Sequence, residues 1–262
     1  MGNHDLDYSL SNFESLAPAC NFPWVVSNAI DRETGEPLGG CHRTVVLDHH
    51  GWRVGVVGLI EYEWLETLST VPVSQVAWTD YVTVGRELAR KLREQDKVDL
   101  VVALTHMRVP NDLRLAKEVS GATRQERTRQ TESRNKAAHE SLAPGSGAMA
   151  GQAPEIDLVL GGHDHDRYMR TENRTLLLKS GTDFRDLSVI TVAAEQPAVN
   201  PATPWAERPP VALSVEAITI TRDCPPDDAA GRLVKVHLSH VEKRMGKVKQ
   251  SSTKREEMGA DT

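Results

Sequence analysis

Three short stretches set imidazoles beside amides or carboxylates. They are Gly2-Asn3-His4-Asp5-Leu6-Asp7 at the start, Leu104-Thr105-His106 in the middle, and Gly161-Gly162-His163-Asp164-His165 further on. The second and third each close an apolar run of strand type. In open α/β sheets, ligands bind beyond the carboxyl ends of strands. Neighbouring ends would therefore gather Asn3, His4, His106, His163 and His165 around one crevice. Imidazoles joined by an amide and carboxylates suit a borderline divalent ion such as Zn²⁺, Mn²⁺ or Fe²⁺. The glycines before His163 allow a sharp turn and a close approach of backbone to the ion. A lone histidine at a strand end is more often structural than functional. Two histidines at i and i+2 beside Asp164 are much more metal-like.

The elements that must hold these residues can be read from periodicity. Residues 22–30, "FPWVVSNAI", read as a buried strand. Residues 43–60 contain two apolar runs around "DHHGW" and read as a β-hairpin turning at Gly51. Residues 80–96 carry Val84, Leu88 and Leu92 at helical spacing, with Asp80 as N-cap. Strands are expected at 98–107, 155–166, 175–181 and 186–194. A short helix is expected after Pro110, an alternating antiparallel strand at 211–221, and a helix from about Asp227 to Gly246. Strand alternates with helix through the first two-thirds, so the class is α/β with a mixed sheet.

Composition narrows the function classes. The 262 residues carry a net charge of −6, which gives no support for a nucleic-acid face. The basic run at 124–136 has interleaved acids and no aromatic residue, so it reads as a solvated loop. Cys20, Cys41 and Cys224 are widely spaced, and neither a zinc ribbon nor a disulfide framework is indicated. No run is long and apolar enough for a membrane span, and the polar N-terminus is no signal peptide, so the default expectation is a cytoplasmic chain without membrane contact. Residues 120–153 contain no Val, Ile, Phe, Tyr or Trp and read as a disordered insert. Residues 195–210 read as a Pro-rich loop, and 246–262 as a loose polar tail.

"GNHDLDY", "SNAI", "LTHM" and "GGHDHD", in this order, resemble the calcineurin-like metallophosphoesterases, and within them the 5'-nucleotidase / UDP-sugar hydrolase branch. "LLKSGTDFRDLSVITV" is similar to the strand pair that follows the second histidine motif in that branch. The resemblance covers about residues 1–119 and 154–245, and it implies a mixed-sheet αββα sandwich with two divalent ions in the intact site. It also implies roles. Asn3, His106 and His163 would bind one ion, and His165 the other. His4 would meet the leaving oxygen, oriented by Asp7. Asp5 and Asp164, apart from the resemblance, read as residues that shape loops or support ligands rather than bind an ion. The expected substrate is a small phosphomonoester, a nucleotide or a related compound.

The family's D-x-H and G-D steps, which complete the dinuclear site, lie upstream of its G-N-H-D step. In this chain no residue precedes Met1-Gly2. The expectation is a partial metallophosphoesterase domain over 1–245 that lacks its first strands and the branch's C-terminal domain. Asp48 and His50 repeat the D-x-H spacing, at an expected hairpin turn. Two readings stay open: a hydrolase with impaired activity, and a non-catalytic remnant that binds at most one ion. The sequence does not specify an oligomeric state.

Overall fold

The computed structural model describes residues 1–119, 155–193 and 211–259. The expected insert at 120–153, with the basic run at 124–136 inside it, lies outside the described residues, and so does the expected loop at 195–210. The chain divides into two compact units, Met1–Thr219 and Ile220–Thr262.

The first unit is built on a six-stranded mixed sheet. Strands β2 (Thr44–His49) and β3 (Trp52–Ile60) form the expected antiparallel hairpin. Its turn puts His50 and Gly51 at φ 47 and 82, the left-handed region that suits a tight two-residue turn. β3 then pairs in parallel with β5 (Leu100–His106), β5 with β6 (Leu158–Gly161), and β6 with β8 (Thr175–Ser180). β7 (Arg167–Glu172) closes the far edge, antiparallel to β8. Val57, Leu59, Val101, Ala103, Val159 and Leu177 are buried on one face. Strands covered on both faces are near-continuous apolar runs, as these are.

Helices α3 (Tyr81–Glu94) and α4 (Val109–Glu118) cover that face with Val84, Leu88, Leu92 and Leu115. Asp80 caps α3 by accepting from Val82 N and Thr83 N, both at 3.1 Å. Pro110 lies in the first turn of α4, where its missing N–H costs nothing. The opposite face of the sheet packs against a two-stranded antiparallel sheet, β9 (Asp186–Ala193) with β10 (Ala212–Thr219). Ile190, Val192, Leu213 and Val215 meet Leu100, Val102, Leu158 and Leu176 there. The fold is thus mixed α/β, with helices over one face and a second sheet over the other.

A third cluster holds the start of the chain. Leu6 and Phe13, the latter on α1 (Leu10–Leu16), pack with Leu38, Ile60, Trp64 and Leu65. Trp64 and Leu65 come from α2 (Glu63–Thr67). The expected strand at 22–30 is mostly something else. Only β1 (Ala29–Asp31) is a strand, paired with β4 (Val76–Trp78). Before it the chain crosses the end of β3, where Ser27 N donates to Gly58 O at 2.7 Å and side chains supply the rest of the pairing. Gly58 N donates to Ser27 Oγ at 2.9 Å, Ile60 N donates to Asn28 Oδ1 at 3.0 Å, and Asn28 Nδ2 donates to Ile60 O at 2.9 Å.

The second unit contains helix α5 (Asp228–Gly259). It continues past Gly246, where the sequence reading stops it, and so occupies most of the expected loose tail. Residues 247–258 contain no proline and several strong helix formers, so propensity does not end the helix there. Among the described residues, no helix is long and apolar enough to cross a membrane.

Candidate active site

The parallel register aligns Ile60 with His106, and Thr105 with Gly161. The carboxyl ends of β3, β5 and β6 therefore open on one edge of the sheet. They present Glu61, His106 and the loop from Gly162 to His165 side by side.

The opening stretch comes to the same edge. Asn3–Leu6 is a single 3₁₀ turn. Asp5 Oδ2 accepts from Gly2 N at 2.7 Å, Leu6 O accepts from Thr70 Oγ1 at 2.6 Å, and the Leu6 side chain is fully buried. Gly2 lies directly against the His106 ring, where a Cβ would stand 2.7 Å from His106 Nδ1. Only hydrogen fits in that gap, so the glycine is required by close approach.

Three donor atoms meet here. His106 Nε2 is 2.8 Å from Asn3 Oδ1 and 3.2 Å from His163 Nδ1. Donors bound ~2.0–2.2 Å from one ion, at tetrahedral or octahedral angles, stand about 3.0–3.5 Å apart. The separation of the two imidazole nitrogens falls in this range, and that of His106 Nε2 from Asn3 Oδ1 is slightly shorter. Burial, reinforced by His163, pushes the His106 pKa down to about 4, so at neutral pH its ring is uncharged and keeps a lone pair. Among the described residues, no group of three or more His, Cys, Asp and Glu side chains is arranged to hold a metal ion. The converging set is one amide and two imidazoles.

His4 stands in solvent with Nδ1 3.0 Å from Asp7 Oδ2. His163 and His165 both have positive φ, 79 and 62. His165 is exposed, and among the described residues it makes no hydrogen bond or ion pair with Asn3, His106 or His163. Asp48 and His50 are not at this edge. They sit at the β2–β3 turn, at the amino end of β3. At ~3.3 Å per residue the strand sets them roughly 25 Å away. Asp48 approaches Arg53 instead, at 3.9 Å.

A model of the calcineurin-like phosphoesterase family matches residues 1–167. The chain belongs to the calcineurin-like phosphoesterase family. The phosphoesterase match ends just beyond His165, so it takes in every candidate residue above. An apyrase of Tabanus yao is 27% identical over 118 residues, which are 45% of this chain and 21% of the apyrase. A 5'-nucleotidase of Vibrio cholerae is 24% identical over 168 residues, 63% of this chain and 26% of the nucleotidase. The chain therefore spans about a quarter of the length of the curated relatives it matches. Among solved structures, a 5'-nucleotidase precursor from Thermus thermophilus superposes with a TM-score of 0.65 at 16% identity, over 94% of this chain and 42% of that one. The phosphoesterase YfkN of Bacillus subtilis gives 0.58 at 17%, over 92% and 70%. These likenesses show the fold.

Sequence reading missed the groups that brace this candidate site. Lys179, on β8, is 2% exposed. Its Nζ donates to Met107 O at 2.7 Å and Gly162 O at 2.8 Å, and is bonded to Asp164 and to Asp112. It thereby ties the loop after β5 to the loop after β6. Asp164 Oδ2 also accepts from Val109 N at 2.9 Å, and Thr105 Oγ1 donates to Asp112 Oδ1 at 2.6 Å. Asp5 and Asp164 both hold loop backbone, as expected of them. Glu61 is fully buried at the end of β3. It follows an apolar run just as His106 does, and that signal could have found it.

Proposed function

We propose that this chain is a metal-dependent phosphoester hydrolase acting on the phosphomonoester of a nucleotide, with one divalent ion held by Asn3, His106 and His163. The observation that carries the reading is the convergence of Asn3 Oδ1, His106 Nε2 and His163 Nδ1 at the carboxyl edge of the sheet. The family supports phosphoester chemistry, and the names of the relatives, an apyrase and 5'-nucleotidases, support a nucleotide.

A divalent ion bound there supplies Lewis-acid polarisation and charge neutralisation at a phosphoryl oxygen. The donor set of nitrogen and amide oxygen suits Mn²⁺, Zn²⁺ or Fe²⁺. The rest falls to the chain. Asn3, His106 and His163 fix the position of the phosphoryl group. To His4, exposed and held by Asp7, we assign protonation of the leaving oxygen or stabilisation of its charge. By resemblance His165 serves a second ion.

A second reading has an observation in its favour. All three converging donors are neutral, and none is a carboxylate that could bridge two ions. The alternative is a non-catalytic remnant that holds at most one ion. Metal content after dialysis against Mn²⁺ or Zn²⁺, with phosphate release from a nucleoside 5'-monophosphate, separates the two. Bound ion with hydrolysis, abolished by Asn3→Ala, supports the enzyme. One ion without hydrolysis supports the remnant. No ion and no hydrolysis also supports the remnant and sinks the enzyme.

A further inference from the structure

We infer that Glu61 is a positioning residue that fixes the tautomer and orientation of His163, an inference that rests on the metal-site reading above. His163 turns Nδ1 toward His106 Nε2, at 3.2 Å. Its other ring nitrogen, Nε2, lies 3.5 Å from Glu61 Oε1. The ring therefore stands between the donor cluster and a carboxylate.

Glu61 is 0% exposed. Its Oε2 is fully engaged, accepting from Arg108 N at 2.8 Å and from Asn111 Nδ2 at 2.7 Å. Its Oε1 is buried and accepts no hydrogen bond among the described residues. Arg108 Nε approaches to 3.4 Å and offsets the charge without closing a hydrogen bond. A buried acceptor left open costs free energy, so it favours the His163 tautomer that presents a proton. With Nε2 protonated, Nδ1 carries the lone pair, and that atom faces His106. A ligating imidazole whose outer N–H is held by a carboxylate is oriented and made more basic. Glu61 also lends a negative charge to a donor set that has none.

The discriminating variant is Glu61→Gln. Arg108 N and Asn111 Nδ2 require an acceptor, so the amide oxygen of Gln takes the place of Oε2. The amide N–H₂ then faces His163 Nε2, which must become the acceptor, and the proton moves to Nδ1. The tautomer is read from ¹⁵N chemical shifts of the metal-free chain at pH 8, with His163 assigned by its loss in His163→Gln. The expected result is Nε2–H in the parent chain and Nδ1–H in Glu61→Gln. The paired measurement is calorimetric titration with Zn²⁺, with thermal unfolding of both proteins as the folding control. We expect affinity about 10–100-fold weaker in Glu61→Gln. An Nδ1–H tautomer in the parent chain overturns the inference without any variant. So does undiminished Zn²⁺ affinity in Glu61→Gln. A parent chain that binds no Zn²⁺ overturns the metal-site reading instead, while the tautomer still reports on Glu61.

Discussion

His4 and His106 sit at one sheet edge in opposite solvent settings. His4 is exposed and, among the described residues, its side chain bonds only Asp7, whereas His106 is enclosed by Gly2, Asn3 and His163. Exposure suits a group that must exchange protons with a substrate and with water. Enclosure suits a ligand that must stay neutral. Substitution should separate the two roles. His4→Asn is expected to lower kcat for a nucleoside 5'-monophosphate by roughly 10²–10⁴-fold while leaving the stoichiometry of Zn²⁺ binding unchanged. An unaltered kcat would remove His4 from the chemistry. Gly2→Ala should do the reverse damage. Its methyl group meets the His106 ring at 2.7 Å, so the ring must move, and Zn²⁺ affinity should drop by about tenfold or more with the fold intact. Calorimetric titration beside circular dichroism checks this, and parent-like affinity would contradict it. At this scale the sequence was readable where a histidine closed an apolar run. Glu61 and Lys179 close apolar runs too, but they escaped because only a folded neighbourhood shows how their buried charges are met.

At the scale of elements, two short segments decide where the site edge lies. Asn28 replaces a missing strand neighbour at the end of β3 by bonding Ile60 N, Ile60 O and Thr79 O. Removing it leaves buried backbone groups unsatisfied. Asn28→Ala should cost about 2–4 kcal/mol in urea unfolding, and a loss below ~1 kcal/mol would show that the strand end holds without it. Asp80 caps α3 and pairs with Arg114. Burial alone would raise its pKa, but Arg114 and the N–H of Thr83 hold the carboxyl below its ordinary value. A carboxylate with a depressed folded-state pKa stabilises above the unfolded value, about 4, and loses that contribution as pH falls through the folded one. Asp80→Ala should therefore cost about 1 kcal/mol near pH 7 and less toward pH 3. A constant difference across that range would show that the carboxylate charge is not what acts. The cap was legible because it is local. The strand expected at 22–30 was misread because Ser27 and Asn28 pair through side chains, and apolar content does not show this.

At the scale of the larger unit, the buried Lys179 joins Asp112 on α4 to Asp164 on the loop after β6. Burial pushes the Asp112 carboxyl up to about 6, against the pull of Lys179 and Thr105. The folded chain thus holds this proton in a range where the unfolded chain, with a value of about 4, has released it. Stability should fall as pH rises from about 4 to about 6 and stay lowered above that, by on the order of 2–3 kcal/mol. Asp112→Asn should flatten that part of the profile in urea unfolding, and an unchanged slope would place the proton elsewhere. The sequence by itself determined the α/β class, the strand ends that carry histidine, and the kind of chemistry their side chains permit. These are properties of nearest neighbours and of period along the chain. Only the tertiary structure decided which strand ends share an edge. Asp48 and His50 have the right spacing and stand at the wrong end of β3, while Glu61 has no motif and lies 3.5 Å from His163. Strand direction and register come from long-range burial, which no local spacing encodes.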